Sequence, residues 1–526
     1  MRKRLSYVLL AACAGMGLAL ALLWLGAAGP VRANPDAHCV NQTGTGCDSS
    51  YGARCYSSVQ AAVNVVITGN EINIAGGTYY GPAGGTVAVI AGKELVIRGG
   101  YDSSCTIHDP GLYETVLDAQ WGGSVISITN AGDVLLHHLT LTGGDGTGNC
   151  GTVGCGGGIY ATGTTLRVAD SVITNNVGST AGGSKADGGG VYVDGSGHSV
   201  EIWGTRIVSN VANTDPSATY YSYGGGIFIR YGDVSLRDNE VLSNVGSTAG
   251  TGGYGGGIFL YDVAPAEVLT NTLRGNEASR GSSAGSGSGG GLSLFAGNVY
   301  IAGNRIENNW TNPDFAGYGG GVCVWNGNAH LSRNTIISNA SVPEGGGFMA
   351  PGGGVYVDSS EPVTLTANLI VSNTASGGGG GGVYAASYSS PATPVLLINN
   401  TIADNGNSGI VVWQYADLTL INNIVAGHAV GIDNTSPASS TVSADTNLFW
   451  NSSDPITGTN AILQDPLLAA DYHLSNDSPA LDAGLTIPWL TVDLDGTSRP
   501  QRNAYDLGAF EEPWFVYLPL VLRGYP

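Results

Sequence analysis

The sequence is poor in lysine, and this scarcity narrows the classes of partner that it suits. Only Lys3, Lys93 and Lys185 are lysines among 19 basic residues, and the formal net charge is −21. So acidic a balance argues against nucleic acid and against an anionic membrane surface as partners. Beyond residue 28 the sequence also has no apolar run long enough to span a bilayer. The composition therefore suits either a soluble, extracellular protein surface or a protein that meets cations.

Collagen-like triplets and long helices are absent as well. The 85 glycines follow no Gly-X-Y period, and no segment long enough for a core helix interrupts residues 156–409. In that region one pattern recurs nine times: a glycine cluster, a short strand, a turn, a second strand and then Asn-x-Ile-x-x-Asn. The last asparagines of the copies lie 34, 34, 32, 33, 30, 34 and 32 residues apart, which is typical of a solenoid. They are Asn176, Asn210, Asn244, Asn276, Asn309, Asn339, Asn373 and Asn405.

Apolar residues alternate with a period of two within each copy, which predicts strands rather than helices. A coil of short strands cannot bury its own apolar edge, so successive coils must stack in register as a parallel β-helix. Stacked asparagines then form a ladder in which each amide donates to one neighbouring coil and accepts from the other, and asparagine tolerates the left-handed turn conformation. The glycines lie where each loop re-enters the wall, because a side chain there would crowd the next coil. A second ladder is predicted at Asn239, Asn271, Asn304, Asn334, Asn368, Asn400 and Asn422.

The repeat motifs resemble those of known families. The paired Gly-Gly-x-Ile and x-x-Asn motifs of residues 56–430 resemble the repeats of chlamydial polymorphic outer-membrane proteins and of bacterial right-handed β-helix surface proteins. Residues 57–66, followed by a strand from Glu71, resemble the entry of pectate-lyase-like helices, where a short amphipathic helix plugs the open end. The resemblance implies an all-β fold, a right-handed parallel β-helix solenoid with an N-terminal cap. It leaves the activity open, because one scaffold hosts many functions.

The C-terminal motifs resemble a different family. Asp465-Pro466, the run from Asp477 to Gly484 and the run from Asp506 to Glu511 are similar to the tail of the choice-of-anchor Q family. That resemblance implies an exported protein whose C-terminal anchor-type region carries an attachment or sorting signal. The apolar tail is too short to span a bilayer, and it is predicted to be either a sorting signal or a strand that covers the end of the helix.

The N-terminus has the pattern of a secretory signal, with basic residues 2–4, an apolar run at 5–28 and a small-x-small site at 31–33. An uncleaved membrane anchor and a lipobox ending at Cys13 are the alternatives. The chain is thus predicted to be secreted or held at the cell surface, with membrane contact only through an anchor at either terminus. The predicted organisation is a signal peptide at 1–33, an N-terminal cap region at 34–66, the β-helix at 67–442, the choice-of-anchor Q-like region at 443–512 and the tail at 513–526.

Cysteines in an exported protein are expected to form disulfides. Six of them cluster near the N-terminal end and in one loop, where a metal site is the alternative interpretation. Cys323 stands alone on a strand and is expected to be a free thiol. The six disulfide candidates are Cys39, Cys47, Cys55, Cys105, Cys150 and Cys155.

Outward residues of the first strands form two columns rich in aromatic rings, two residues apart. A surface stripe of aromatics is usually an interaction surface, and sugars stack on aromatic faces through their C–H sides. The columns therefore predict a binding face for an extracellular polysaccharide or another cell surface. The alternative is that the stacked rings stabilise the sheet or lie beneath the loops. The candidates are Tyr160, Tyr192, Phe228, Phe259, Tyr356 and Tyr384 in the first column and Tyr261, Phe295, Trp325 and Trp413 in the second.

Polar candidates on this face are few. Asp194 and Arg230 adjoin in the second column, where an ion pair is predicted, and Asp358 lies further along it. Polysaccharide lyases of the resembling fold use calcium-binding carboxylates with a basic residue, and the sequence has no Asp-Asp pair and no Arg-Ile-Lys motif. His137 and His138 are expected to face opposite sides of a strand. No catalytic residue, cofactor or metal is predicted, and calcium would enter only with a lyase.

The sequence favours an exported β-helix protein with a non-catalytic role in adhesion or glycan binding. One alternative is a polysaccharide lyase or glycoside hydrolase of the pectin-lyase-like fold, which requires carboxylates and an arginine that converge in one groove. The other is a structural surface protein without a small ligand, in which the loops bury the aromatic column.

Overall fold

The computed structural model describes residues 36–181, 185–249, 252–280, 286–311, 317–341, 350–377, 379–387, 392–453 and 456–513. The predicted signal peptide lies outside these residues, as does the predicted apolar tail from residue 514 onward. Among the described residues no helix is both long enough and apolar enough to cross a membrane.

The chain winds into a parallel β-helix of about 11 turns, as the repeat period predicts. In the described ranges, 23 strands form one wall, the broad sheet, and 13 strands form the opposite wall, the narrow sheet. Neighbouring strands are parallel and in register, so that Val191 pairs with Ile227 and Ile227 with Ile258. The side chains that point inward from both sheets make one continuous apolar core.

The broad sheet carries two strands or one long strand from each coil. Its strands are His38–Val40, Cys55–Tyr56, Asn70–Ala75, Ala88–Ala91, Leu95–Tyr101, Ile126–His137, Ile159–Ala169, Val191–Asp194, Ser199–Trp203, Ile227–Arg230, Asp233–Arg237, Ile258–Leu269, Leu292–Ala302, Val322–Trp325, Asn328–Ser332, Val355–Asp358, Val363–Thr366, Val383–Ala386, Thr393–Ile398, Ser408–Val412, Ala416–Ile421, Val430–Asn434 and Thr441–Asp445.

The narrow sheet carries one strand from each coil. Its strands are Gly77–Tyr80, Thr115–Asp118, Thr140–Thr142, Val172–Thr174, Arg206–Val208, Glu240–Leu242, Thr272–Arg274, Arg305–Glu307, Thr335–Ile337, Leu369–Val371, Thr401–Ala403, Ile424–Ala426 and Leu448–Trp450.

Two asparagine ladders run through the corners on either side of the narrow sheet. Asn210 is fully buried, and its amide nitrogen donates to the Asn244 side-chain oxygen at 3.0 Å and to the Ile173 carbonyl at 2.9 Å. The predicted coil-to-coil bonding is therefore confirmed. The left-handed conformation belongs to the residue before each ladder position, such as Ser209 with φ +56°, and not to the ladder asparagine itself.

The second ladder differs from its prediction at one position. Asn400 donates to the side-chain oxygen of Asn423 at 3.0 Å, and Asn423 donates to Asn447 at 3.0 Å. The prediction of Asn422 was therefore wrong by one residue. Asn422 occupies the left-handed corner with φ +60°, and its side chain binds the backbone of Leu485 instead.

Glycines allow the loops to re-enter the wall, as predicted. Gly224 has φ +64°, and a Cβ atom on Gly225 would lie 2.4 Å from the backbone oxygens of Gly256 and Val245. No side chain fits at that distance, so the close approach of successive coils requires glycine.

The N-terminal end is closed by the predicted amphipathic helix, Val59–Val65, which begins after the capping residue Ser58 and buries Val59, Ala62 and Val63. Short 3₁₀ turns occupy Ser49–Tyr51 and Pro82–Gly84. All six predicted cysteines form disulfides, and Cys323 is a buried free thiol. The pairs are Cys39–Cys105, Cys47–Cys55 and Cys150–Cys155.

The C-terminal region folds back along the outer face of the narrow sheet. The β-helix continues through Leu448–Trp450, beyond the predicted boundary at residue 442. Leu474, Leu507 and Phe510 then join an apolar cluster with Val371 and Ile424 of the narrow sheet. An ion pair of 3.0 Å between the buried side chains of Arg499 and Glu511 lies within this region. The role of this C-terminal region in anchoring stays a prediction.

Candidate functional site

The loops between the narrow sheet and the next coil form additional short strands. They stack from coil to coil as the wall strands do, and we call the resulting layers the loop sheets. In the described part of the chain these strands are Val153–Cys155, Lys185–Asp187, Ser222–Tyr223, Gly253–Tyr254, Gly287–Ser288 and Gly317–Tyr318 in one layer, Val177–Ser179, Val211–Asn213, Val245–Ser247 and Glu277–Ser279 in a second, and Ala340–Ser341 with Thr374–Ala375 in a third.

The first aromatic column stacks along the helix axis. The ring centroids of Tyr192 and Phe228 lie 5.4 Å apart, those of Phe228 and Phe259 lie 5.7 Å apart, and the ring planes deviate from parallel by 7° or less. Tyr356 and Tyr384 stack in the same way at 5.4 Å. The alignment that the repeat predicts is therefore present.

The prediction that this column faces solvent is wrong, because the loop sheets cover it. Tyr192, Phe228 and Phe259 are 2%, 5% and 2% exposed. Tyr223 of the loop sheets lies 4.8 Å from the ring of Phe259 and 6.2 Å from that of Phe228. Tyr356 and Tyr384 are likewise buried, and Tyr160 at the start of the column is half-buried. Buried rings in this arrangement offer no face to a polysaccharide.

The second column stays partly open, although the ring of Trp325 lies 5.4 Å from that of Tyr318 in the loop sheets. Tyr261 is half-buried, Phe295 is 37% exposed, and their rings are 5.3 Å apart and within 2° of parallel. Tyr231, which the sequence interpretation missed, meets the ring of Tyr261 edge-on at 5.9 Å. We call Tyr231, Tyr261 and Phe295 the aromatic patch. Trp325 and Trp413 are half-buried beside the apolar cluster of Tyr356 and Tyr384.

Asp194 and Arg230 form the predicted ion pair at one end of the aromatic patch. Arg230 donates from Nε at 3.1 Å and from Nη2 at 2.7 Å to Oδ2 of Asp194, and its guanidinium lies 5.9 Å from the Tyr231 ring centre. The hydrogen bond to Asp194 is the leading cause that raises the pKa of Arg230 against the opposing effect of burial. Arg230 is therefore held as a cation and is unsuited to act as a base. Asp358, the third polar candidate, is buried.

A second cluster lies at a corner near the N-terminal end. The rings of His137 and His138 stack at 3.7 Å, so the prediction that they face opposite sides is wrong. The reason is that His138 has φ +53° and already belongs to the corner rather than to the strand. Burial is the main cause that lowers the pKa of His137 to about 4. The register of the repeat is the signal that could have revealed this pair. It aligns His138 with Asp170 of the next coil, and both residues lie at corners with positive φ.

Residues 45–424 match the family of the right-handed β-helix region, and the chain belongs to that family. Two solved structures show a general likeness. The crystal structure of pectate lyase Pel9A is 13% identical, with 90% of this chain and 96% of that chain covered and a TM-score of 0.37. The complex structure of XylC with xylose is 10% identical, with 90% and 98% covered and a TM-score of 0.35. No curated protein matches the chain, and likenesses of this size carry no argument about activity.

Proposed function

We propose that the protein is an exported, non-catalytic β-helix protein that binds a glycan through the aromatic patch. The observation that carries the proposal is the exposure of Phe295 beside the parallel ring of Tyr261, in a sheet whose neighbouring aromatic column is buried. Exposed aromatic rings grouped on one face are typical of interaction surfaces. Export rests on the signal pattern of residues 1–33.

The patch combines apolar and polar groups that suit a sugar. Tyr231 stands at 87° to Tyr261, so the patch presents rings in two orientations. Arg230 and Asp194 place hydrogen-bond donors and acceptors at its end, where they would meet sugar hydroxyls. The glycan contact is thus smaller than the full column that the sequence predicted, and it spans the coils of Arg230, Tyr261 and Phe295.

A structural surface protein without a small ligand is the second candidate function. Burial of the first column beneath the loop sheets favours it, because the rings then serve to join successive coils rather than to meet a partner. In that case the rings of the aromatic patch also serve only to join successive coils, and they are partly exposed because the loop sheets do not cover them.

Retention of the full chain in affinity gels that contain a panel of polysaccharides tests the proposal. We expect one glycan to retard the protein, and Phe295→Ala to weaken the retention at least about fivefold, since an aromatic contact contributes about 1 kcal/mol or more. Tyr80→Ala is the matched control, because Tyr80 is 53% exposed and lies on the narrow sheet.

Three results would decide between the functions. Retention that Phe295→Ala abolishes and Tyr80→Ala leaves intact supports the glycan-binding proposal. Absence of retention on every polysaccharide leaves the structural function. Release of unsaturated products or of reducing ends from any polysaccharide would instead place the protein among the lyases or hydrolases.

A further inference from the structure

Two successive coils bring two imidazoles and a carboxylate together at one corner of the β-helix. The strand Ile126–His137 ends at His137, and the left-handed residue His138 turns its side chain to the same side. Asp170 occupies the equivalent corner of the next coil, with φ +44°, and its Oδ2 atom lies 3.0 Å from Nε2 of His137. The corner geometry, rather than the strand, creates this cluster.

We propose that His137, His138 and Asp170 bind a divalent transition-metal ion, with Zn²⁺ as the best chemical match. One potential ligand atom from each residue lies within 4.8 Å of the others. Imidazole nitrogens with a carboxylate oxygen are ligands that zinc and its neighbours prefer, whereas calcium prefers oxygen ligands alone. Three protein ligands also leave a position for water or a substrate.

The surroundings of the cluster favour an ion that enters from solvent. The side chain of His137 is 17% exposed and that of Asp170 is 47% exposed, so both are accessible. The corner of the following coil is Gly204, where a Cβ atom would lie 2.5 Å from Oδ1 of Asp170. The absence of a side chain at Gly204 therefore leaves room for the Asp170 carboxylate. His108 adds a third imidazole, with its ring 5.1 Å from that of His138.

The positive charge of Arg98 lies beside His137 and should lower the affinity of the cluster for a metal ion. Its Nη1 atom lies 3.0 Å from Nδ1 of His137, so Nδ1 accepts and Nε2 carries the proton that it donates to Asp170. A metal ion can bind Nε2 only if Nε2 loses its proton and Nδ1 carries one instead. A protonated Nδ1 cannot accept a hydrogen bond, so the Arg98 guanidinium must then move away from His137. Arg98 keeps its ion pair with Glu71 at 2.7 Å, which holds the guanidinium nearby. The two imidazole rings, now 28° from parallel, must also turn toward a shared ion.

Metal content after dialysis of the full chain against micromolar Zn²⁺, and the visible absorption of a Co²⁺ complex, test the proposal. We expect one equivalent of metal per chain. His137→Ala and Asp170→Asn should each weaken binding at least about tenfold, and Arg98→Met should strengthen it several-fold. His198→Ala is the control, because His198 lies in a half-buried turn outside the cluster.

The variants separate a real site from unspecific binding. Asp170→Asn changes an exposed side chain and keeps its shape, so it serves if His137→Ala fails to fold by circular dichroism. Loss of the Co²⁺ spectrum in Asp170→Asn but not in His198→Ala supports the site. Wild-type protein that binds no stoichiometric metal would overturn the proposal, and so would equal binding by wild type and Asp170→Asn.

Discussion

Removal of one ladder asparagine should open the β-helix locally, and Asn276→Ala is the sharpest test. Asn276 is fully buried and accepts from the backbone N–H and the side-chain amide of Asn244, both at 3.0 Å. It also donates to the Val241 carbonyl at 2.8 Å and to the Asn309 side-chain oxygen at 3.0 Å. Asn309 keeps a second donor, the backbone N–H of residue 276. Alanine therefore removes four hydrogen bonds and leaves four buried polar atoms with fewer partners.

A buried hydrogen bond contributes about 0.5–1.5 kcal/mol net, so the loss of four should lower the free energy of unfolding of this region by about 2–6 kcal/mol. At about 1.4 kcal/mol for each factor of ten, amide exchange near Asn244 and Val241 should accelerate by a factor of roughly 20 to 10⁴. Hydrogen exchange with mass spectrometry measures this change. Because solenoid coils contact only their neighbours, distant coils should keep their protection.

A surface change in the same coil provides the control. The side chain of Arg274 is 56% exposed and contacts Glu307 at 3.7 Å, so Arg274→Ala should cost less than about 1 kcal/mol. If the exchange of the Asn244 coil in Asn276→Ala stays within tenfold of the wild-type rate, the hydrogen bonds of the ladder do not hold neighbouring coils together.

Three further predictions follow from buried groups. Cys39–Cys105 closes 66 residues, so serine at both positions should lower the free energy of unfolding by about 4 kcal/mol in chemical denaturation. Burial raises the pKa of the Cys323 thiol, so iodoacetamide should label it only after denaturation, as mass spectrometry would show. Burial lowers the pKa of His330 and His428 to about 4, from the ordinary value of 6.5 that applies to the unfolded chain. Protons therefore bind the unfolded state more tightly than the folded state. The melting temperature should fall as the pH drops from 6.5 toward 4. His330→Gln should flatten that fall.

The wall of the β-helix could be predicted from sequence because its rules repeat in every coil. The period of the ladder asparagines predicts which residues become neighbours, and Val191, Ile227 and Ile258 do pair in register. The same regularity made the adjacent Asn422 and Asn423 ambiguous, since both are asparagine and only the corner distinguishes them. A ladder position is defined by the turn that precedes it, and that turn has no strict sequence.

The exposure of the candidate site could not be predicted, because it depends on the loops. Ser222–Tyr223 is a strand of two residues, too short for any alternation to show in the sequence. Yet its stacking with Gly253–Tyr254 helps to cover the column below. The cluster of His137 and His138 was missed for a related reason, since a single left-handed residue reverses the direction of a side chain.

Tyr223→Ala should therefore distinguish a permanently buried column from a covered binding face. Tyr223 is the ring that lies over Phe228 and Phe259, whereas Tyr220 of the same loop is 65% exposed, so Tyr220→Ala is the matched control. If the column only joins the coils, Tyr223→Ala should lower the free energy of unfolding by about 3 kcal/mol and leave glycan retention unchanged. Stronger retention in Tyr223→Ala than in Tyr220→Ala would mean that the rings of the first column meet a ligand when the loop sheets part. The assignment of binding to the aromatic patch would then have to be given up.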